Sequence, residues 1–462
     1  MYVKYMTDIS GGEFPAWRID ARDMASADLP VLDEVDVVVV GGGAAGVAAA
    51  TVVAEAGKSV VLVEKYGFCG GAAVAGLSGT ICGLYMGEET PSQPEQLVYG
   101  FTERFRSALT QRGGLTAPQL YGKTWSSAHD PLMWRETADA LLEEAGVRIL
   151  FHTSVIAPIM EGANIRGVVV ESNAGRSRLF AQRVIDASGD AAVVARSGFG
   201  TFFGDDGTIQ NPTMFFRLGN VDTNTFIDFY GSDTICRPEV SEALAEEAAA
   251  GADLPRKKIW IFKSTRPNEL LVNATRLTGR DGRMLNVIDP VDFTEAEIYG
   301  RQQVREYARF IAKRIPGCAE SYVVDTGVEA GIRQTRSIRG VTMLRNSDVV
   351  ECRKRPDGIV RSAWPIELHS GQKPKLHWLK NDYYEVPYTT LVPAHGENII
   401  VAGRCLSAEH EALASARVTA QCFEYGQAAA VATVRSLRTK QRYRDIDGAE
   451  VRADMVALGS AL

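Results

Sequence analysis

Toward its C-terminus the chain reads SAEHEALASAR, which sets His410 beside Glu411, and further back GIRQTRSIRG repeats arginine at 333, 336 and 339. A histidine next to a carboxylate can take and hold a proton, so the pair is a catalytic candidate; a polar pair capping the following helix would look the same. Arginine can clamp a carboxylate through two parallel hydrogen bonds. Arg333 and Arg336 are the better placed for that role, although a solvated face or pairing with nearby acids explains the spacing too. His369, His377 and His395 flank WLKNDYYEVPY. Each is a candidate base, with His395 carried forward, and each is equally explained as a surface or hydrogen-bonded histidine. Tyr383, Tyr384 and Tyr388 suit either a substrate wall or aromatic packing between lobes.

What must position such groups is clearest near the N-terminus. VDVVVV (35–40) is an unbroken β-branched run, the pattern of a parallel strand buried on both faces. Gly41, Gly43 and Gly46 follow as GxGxxG, then a small-residue helix stopped by Gly57, then the strand SVVLVE ending in Glu64. Gly41 permits the tight turn, Gly43 lets backbone N–H groups approach a pyrophosphate, and Gly46 lets helix and strand pack closely. The helix N-terminus offers unpaired donors to phosphate, and Glu64 accepts from ribose hydroxyls. GFCGGAAVAG (67–76) adds a second glycine-rich stretch. An extended FAD needs the chain to pass that closely to its pyrophosphate and ribityl; NAD-binding folds have no general need of it.

Further along, PLMWRETADALLEEA (131–145) reads as an amphipathic helix. Short strands of a β-meander follow and end in RVIDAS, which enters Gly189-Asp190. Residues 200–385 change character, with mixed charge, aromatics and no glycine fingerprint. Within them DFTEAEIYGRQQVREYARFIAKRIPG predicts a long helix opened by a Thr294–Glu297 capping box and ended at Pro316-Gly317. NIIVAG (398–403) predicts a returning buried strand, followed by a polar loop and a small-residue helix from about Ser415.

Four segments taken in order, GGGAAG…VVLVEKYGFCGGAAVAG, VIDASGDAAVVARSG, GIRQTRSIRG and DYYEVPYTTLVPAHGENIIVAGRCLSAEHEALASARV, resemble the FAD-dependent oxidoreductases with a glutathione-reductase-type FAD fold, related to fumarate reductase and succinate dehydrogenase flavoproteins. The resemblance implies an α/β fold: a Rossmann-like FAD-binding domain, parallel sheet plus β-meander, with an inserted α+β substrate lobe. Its expected extents are an N-terminal extension at 1–30, the FAD domain at 31–199 plus 386–440, the inserted substrate or cap domain at 200–385, and a tail at 441–462. Bound FAD and two-electron chemistry at its N5 are implied as well. The cofactor positions carried over are Gly41, Gly43 and Gly46 with Ala44 and Ala45 between them, Glu64 with Lys65, Gly70 and Gly71, Ala187, Gly189 and Asp190, Gly403 and Arg404, and Arg417. Cys69 departs from the apolar residue expected beside the glycine pair. A small buried hydrophobe is the favoured reading for it, because Cys82 lies 13 residues away rather than at redox-pair spacing.

The whole chain is consistent with this. Its 462 residues call for at least two lobes, and a net charge of −7 speaks against a nucleic-acid partner. Seven cysteines, none at CxxC spacing, fit a reducing cytoplasm and no metal site. No signal-peptide core and no apolar run of ~18 residues is present, so no membrane partner is expected. The expected activity is hydride transfer between a small organic substrate and flavin N5, with electrons passed to oxygen, a carrier or NAD(P), and with oligomeric state open. The rival readings are a flavin monooxygenase of the aromatic hydroxylase type, disfavoured by VAGRCLS at the C-terminal strand, and an FAD-binding tRNA-modifying protein, disfavoured by the acidic charge.

Overall fold

The protein is described by a computed structural model covering residues 28–369 and 375–462. Apart from residues 28–30, the expected N-terminal extension lies outside the described residues. Strand β1 (Val31–Val40) leads into helix α1 (Ala44–Glu55) and strand β2 (Val60–Val63), which returns parallel to β1 in the register Val37↔Val60 to Val40↔Val63. Val37 to Val39 are fully buried, as a strand covered on both faces requires. Helix α1 ends at Ala56, and Gly57 takes a left-handed φ of 76° to turn the chain out. Strand β3 (Arg148–Leu150) adds to β2 in parallel. The meander is β4 (Ser154–Glu161), β5 (Asn164–Ser172) and β6 (Gly175–Asp186), each antiparallel to the one before. β6 runs parallel to β1 along its length, giving the order β3-β2-β1-β6-β5-β4.

A second hydrophobic core is built from residues between 214 and 330. Its sheet comprises β7 (Phe216–Gly219), β8 (Trp260–Lys263), β9 (Leu270–Asn273) and β10 (Tyr322–Thr326), ordered β8-β9-β7-β10 and antiparallel throughout. Helix α2 (Pro290–Arg314) is the long helix expected, but it opens one turn earlier than the Thr294–Glu297 box. Asp289 caps it by accepting from the Val291 N–H at 2.8 Å, and Pro290 supplies the preset first-turn φ. Thr294 and Glu297 are spent elsewhere: the Thr294 hydroxyl donates to the Pro290 carbonyl, and Glu297 accepts from the Ala330 N–H. The second core is also narrower than 200–385. Ile338, Leu344, Val349, Ile359 and Tyr384 pack into the first core instead.

The chain returns through strand β11 (Ile399–Val401), which pairs parallel with the far half of β6, in register Ile399↔Val184 to Val401↔Asp186. Helix α3 (His410–Ala416) and helix α4 (Thr419–Thr439) follow. Small residues let α4 lie directly on α1: a Cβ on Gly426 would stand 2.1 Å from the Ala45 carbonyl oxygen. Residues 441–462 are folded rather than trailing. Gly448–Ala457 form a helix capped by Asp447, with Val451 and Met455 buried in the first core.

Candidate active site

One long cleft runs past the ends of β1, β6 and β11, lined by Gly41, Gly43, Gly70, Gly71, Gly189 and Gly403 among others. Gly41 has a φ of 99°, and a side chain there would meet the Ala187 carbonyl oxygen at 2.6 Å. A Cβ on Gly46 would stand 1.8 Å from the Gly41 carbonyl oxygen, so this glycine serves strand–helix packing and lies behind the cleft. Gly43 is different. Its φ of −70° suits any residue, and a Cβ would meet nothing nearer than the Gly71 Cα at 3.8 Å. The protein's own packing gives no reason for glycine at 43. A ligand approaching the backbone does. Gly43 is also the N-cap of α1 with no side chain satisfying the first-turn N–H groups, and Ala44 and Ala45 line the cleft beside it. Such a helix start is an anion site.

At one end of this cradle Glu64 closes the turn. It accepts from the Gly42 N–H at 2.6 Å and the Tyr66 N–H at 2.9 Å. Burial raises its carboxyl above the usual range, partly opposed by those two bonds. Lys65 lines the cleft too, but its amine is paired with Glu329 at 3.1 Å, across from the second core, and the Tyr66 hydroxyl also donates to Glu329.

The second and the C-terminal fingerprints meet in the middle. Buried Asp186 accepts from Ser188 N and Oγ and from the Val193 and Val194 N–H groups, which shapes the Ala187–Asp190 turn. Asp190 accepts from Arg404 at 2.8 Å and from the Thr335 hydroxyl at 2.7 Å. Burial would raise the Asp190 carboxyl, but Arg404 and Thr335 outweigh it and hold it below the usual range. Three segments from the distant parts of the sequence are thereby tied at one point.

Beyond that point the cleft opens into a chamber walled by Tyr121, Phe215, Phe262 and Trp364, with Arg333, Glu367, His369 and Arg417 among its polar residues. Tyr121 comes from a three-stranded sheet made by Thr80–Ile81, Gln119–Tyr121 and Thr124–Ala128. Its hydroxyl donates to Glu367 at 2.8 Å, and His369 Nε2 lies 3.3 Å from the same Glu367 oxygen. Burial and the nearby Arg333 push the His369 imidazole well below its ordinary value, so it is neutral near pH 7. Burial favours a protonated Glu367, yet His369, the Tyr121 hydroxyl and Arg417 together keep it ionised.

Of the catalytic candidates, Arg333 and His369 are the two the fold brings into this chamber. Arg336 turns away: its guanidinium sits 6.0 Å from the Phe203 ring and 3.5 Å from the Asp190 carbonyl oxygen, so it forms no clamp with Arg333. A three-residue step on the short strand Arg336–Ile338 and the turn before it does not keep one face. His410 and Glu411 open α3 outside the cleft. Glu411 is paired with Lys375 at 3.0 Å, and His410 Nδ1 is buried without a hydrogen-bond partner, beside Gly204. His395 and His377 are exposed, whereas His369 is buried in the chamber. Cys69 is fully buried with its thiol pushed up by burial, the behaviour of a small hydrophobe. Cys82 and Cys422 reach the cleft instead. Tyr384 and Tyr388 are buried in the first core and bond Ser415 and the Tyr443 carbonyl, while Tyr383 lies beneath Lys354.

Tyr121, Trp364 and Glu367 escaped the sequence reading. One signal was available: in WPIELH, Glu367 and His369 are two apart across the short strand Ile366–Leu368, and therefore share a face. Tyr121 had none, because its ring and hydroxyl partners Trp260, Phe262, Trp364 and Glu367 all lie far along the chain from it.

Among the described residues no helix is long and apolar enough to cross a membrane, and no cluster of three or more His, Cys, Asp or Glu could hold a metal. The family model described as FAD dependent oxidoreductase matches residues 36–455. No curated protein sequence matches the chain. Among solved structures, a geranylgeranyl bacteriochlorophyll reductase-like protein from Thermoplasma acidophilum is 14% identical, with 92% of this chain and 83% of that one covered and a TM-score of 0.48. The flavin-dependent brominase Bmp2 is 13% identical over 91% and 83%, at 0.46. L-proline dehydrogenase from P. horikoshii is 12% identical over 93% and 99%, at 0.42.

Proposed function

The chain belongs to the FAD dependent oxidoreductase family, and on that premise we propose that it transfers a hydride between a small organic substrate in the aromatic chamber and FAD in the glycine-lined cleft. The observation that carries this reading is the continuity of the cleft, from Glu64 past the bare backbone at Gly43 and Gly71 to the Tyr121–Glu367–His369 group. FAD is an enzyme cofactor of this family, and when bound it supplies the two-electron acceptor or donor at N5.

The residues fit that cofactor. Gly43 leaves room where a Cβ would stand, Gly71 packs its bare Cα against Gly43, the start of α1 offers unpaired N–H groups to the phosphates, and Glu64 can accept from a ribose. Arg404 and Asp190 fix the turn that carries Gly189 against the one that carries Gly403. In the chamber, Glu367 faces His369 Nε2 and holds the ring, leaving neutral Nδ1 to accept a hydrogen bond from the substrate during the exchange. Tyr121, Phe262 and Trp364 exclude water from that exchange.

The test is an absorbance spectrum of the purified protein before and after acid precipitation. A band near ~450 nm that moves into the supernatant as FAD is the expected result. Anaerobic addition of candidate substrates should then bleach it. A colourless protein that cannot be reconstituted with FAD overturns the reading.

A further inference from the structure

The chamber carries more positive charge than its own residues neutralise. Arg333 is buried and its guanidinium donates to the Asn211 carbonyl at 2.8 Å. Arg417, half-buried, donates to the Gln210 side-chain oxygen at 3.2 Å. Arg256, buried and over the Trp260 ring at 4.6 Å, donates to Asn273 Oδ1 at 3.0 Å. All these acceptors are neutral, and none of the three arginines makes an ion pair among the described residues. Arg417 Nε and Arg256 Nη2 are buried with no partner at all. Several other arginines withdrawn from solvent are paired, Arg217 with Glu269 and Asp325, Arg404 with Asp190 and Arg435 with Glu450 and Asp454, although half-buried Arg336 bonds only the Asp190 carbonyl. Leaving a charge buried and unpaired is costly, so a partner is expected from outside the chain.

Glu367 is the one carboxylate that acts on all three guanidiniums, and it is already engaged by Tyr121 and His369. Arg256 sits over the Trp260 ring and does not line the cleft, so on the wall itself Arg333 and Arg417 set against Glu367 leave one positive charge uncompensated. That suits a monoanion, while a dianionic phosphate would face Glu367 at close range. The other wall residues, Tyr121, Phe262 and Trp364, are aromatic and want an apolar body.

We infer that the substrate is a small monocarboxylate, its carboxylate held by Arg333 and Arg417 and its apolar remainder laid against Tyr121, Phe262 and Trp364. This rests on the chamber being the substrate site of the proposed oxidoreductase. Arg333 and Arg417 are separated by 84 positions and come from the segment before the Arg336–Ile338 strand and from the link between α3 and α4. Arginine suits the role because its planar fork can give two parallel bonds to a carboxylate while another N–H stays on the protein.

The experiment titrates the flavin-loaded protein with acetate, butyrate and benzoate, each against its neutral amide and against inorganic phosphate. Perturbation of the flavin spectrum and quenching of tryptophan fluorescence are read together. At least one acid should bind saturably, with its amide roughly 10- to 100-fold weaker, the worth of a charge-assisted hydrogen bond. Arg333→Gln should lower that acid's affinity by a similar factor at unchanged flavin content. Glu367→Gln should tighten it several-fold, because it removes the chamber's own negative charge; a merely structural role for Glu367 would not tighten anything. If Arg333→Gln does not fold, Arg333→Lys, which keeps charge but loses the fork, takes its place with a smaller loss expected. Acids and amides binding alike, no saturable binding by any acid, or phosphate binding better than the acids would each overturn the inference. So would Arg333→Gln altering the reduction potential of the flavin but not acid binding. A protein without flavin would overturn the cofactor reading instead, and tryptophan quenching on that protein would still decide the anion site.

Discussion

The two ends of the cleft are made in opposite ways. The cradle between Glu64 and Gly403 is a backbone site: glycines, a helix start and turns present N–H groups and empty space. The chamber is a side-chain site, in which Tyr121, Arg333, Glu367 with His369, and Arg417 converge from four separate stretches. A backbone site must be written locally, since a turn needs its glycines in consecutive register. A side-chain site needs only that each donor element delivers one residue. The first therefore holds a group common to many reactions, and the second is free to select one substrate.

The strongest way to break this contrast is to put a side chain where only the ligand objects. Gly43→Val should fold, since a Cβ there meets only the Gly71 Cα at 3.8 Å, yet should weaken FAD retention by roughly two orders of magnitude or more. Gly46→Val should fail to fold, because its Cβ would overlap the Gly41 carbonyl oxygen. Flavin stoichiometry and circular dichroism on the two variants check this. A Gly43→Val protein that purifies with full flavin would show the cradle misplaced.

Helix α4 supports both ends, and it carries a buried acid whose effect is on folding alone. Glu424 accepts from Thr102 N and Oγ1 and from the Ser460 hydroxyl, and burial raises it to about 7. Its proton is held more tightly in the folded chain than in the unfolded one, where a glutamate titrates near ~4.3. Stability should therefore be greatest below that pH, fall as pH rises through ~4.3 to about 7, and then level off. Glu424→Gln, fixed in the neutral form, should remove the fall and gain on the order of 2–4 kcal/mol at pH 8. Urea unfolding at pH 5 and pH 8 reads it; an unchanged difference between the two pH values would count against a protonated Glu424.

A smaller effect is expected where the fingerprints cross. Arg404→Ala leaves Asp190 with Thr335 alone and should cost about 1–3 kcal/mol, seen as a lower Tm and weaker flavin retention. Smallest of all, Glu411→Gln breaks a partly exposed pair with Lys375 and should change stability by about 0.5 kcal/mol or less, with turnover intact. A tenfold loss of turnover would return Glu411 to the chemistry and blur the division between the two ends.

What was legible in the sequence follows the same division. The β1–α1–β2 unit, the meander, the returning strand and the glycines of the cradle each sit within a continuous run, so periodicity and spacing expose them. The start of α2 was missed by one turn because Thr294–Glu297 mimics a capping box while Asp289-Pro290 does the capping. Arg333 and Arg336 are neighbours in sequence, but backbone direction parts them, and Arg417 is the guanidinium that shares the chamber with Arg333.

The nucleotide cradle and the class of cofactor are written in the chain itself, because backbone geometry is dictated by adjacent residues. Which histidine is buried beside a carboxylate, which arginines lack an anion, and that Tyr121 faces Glu367 across 246 positions emerge from the folded arrangement alone. Those facts depend on where whole elements pack, and packing is settled by the two cores together rather than by any one segment.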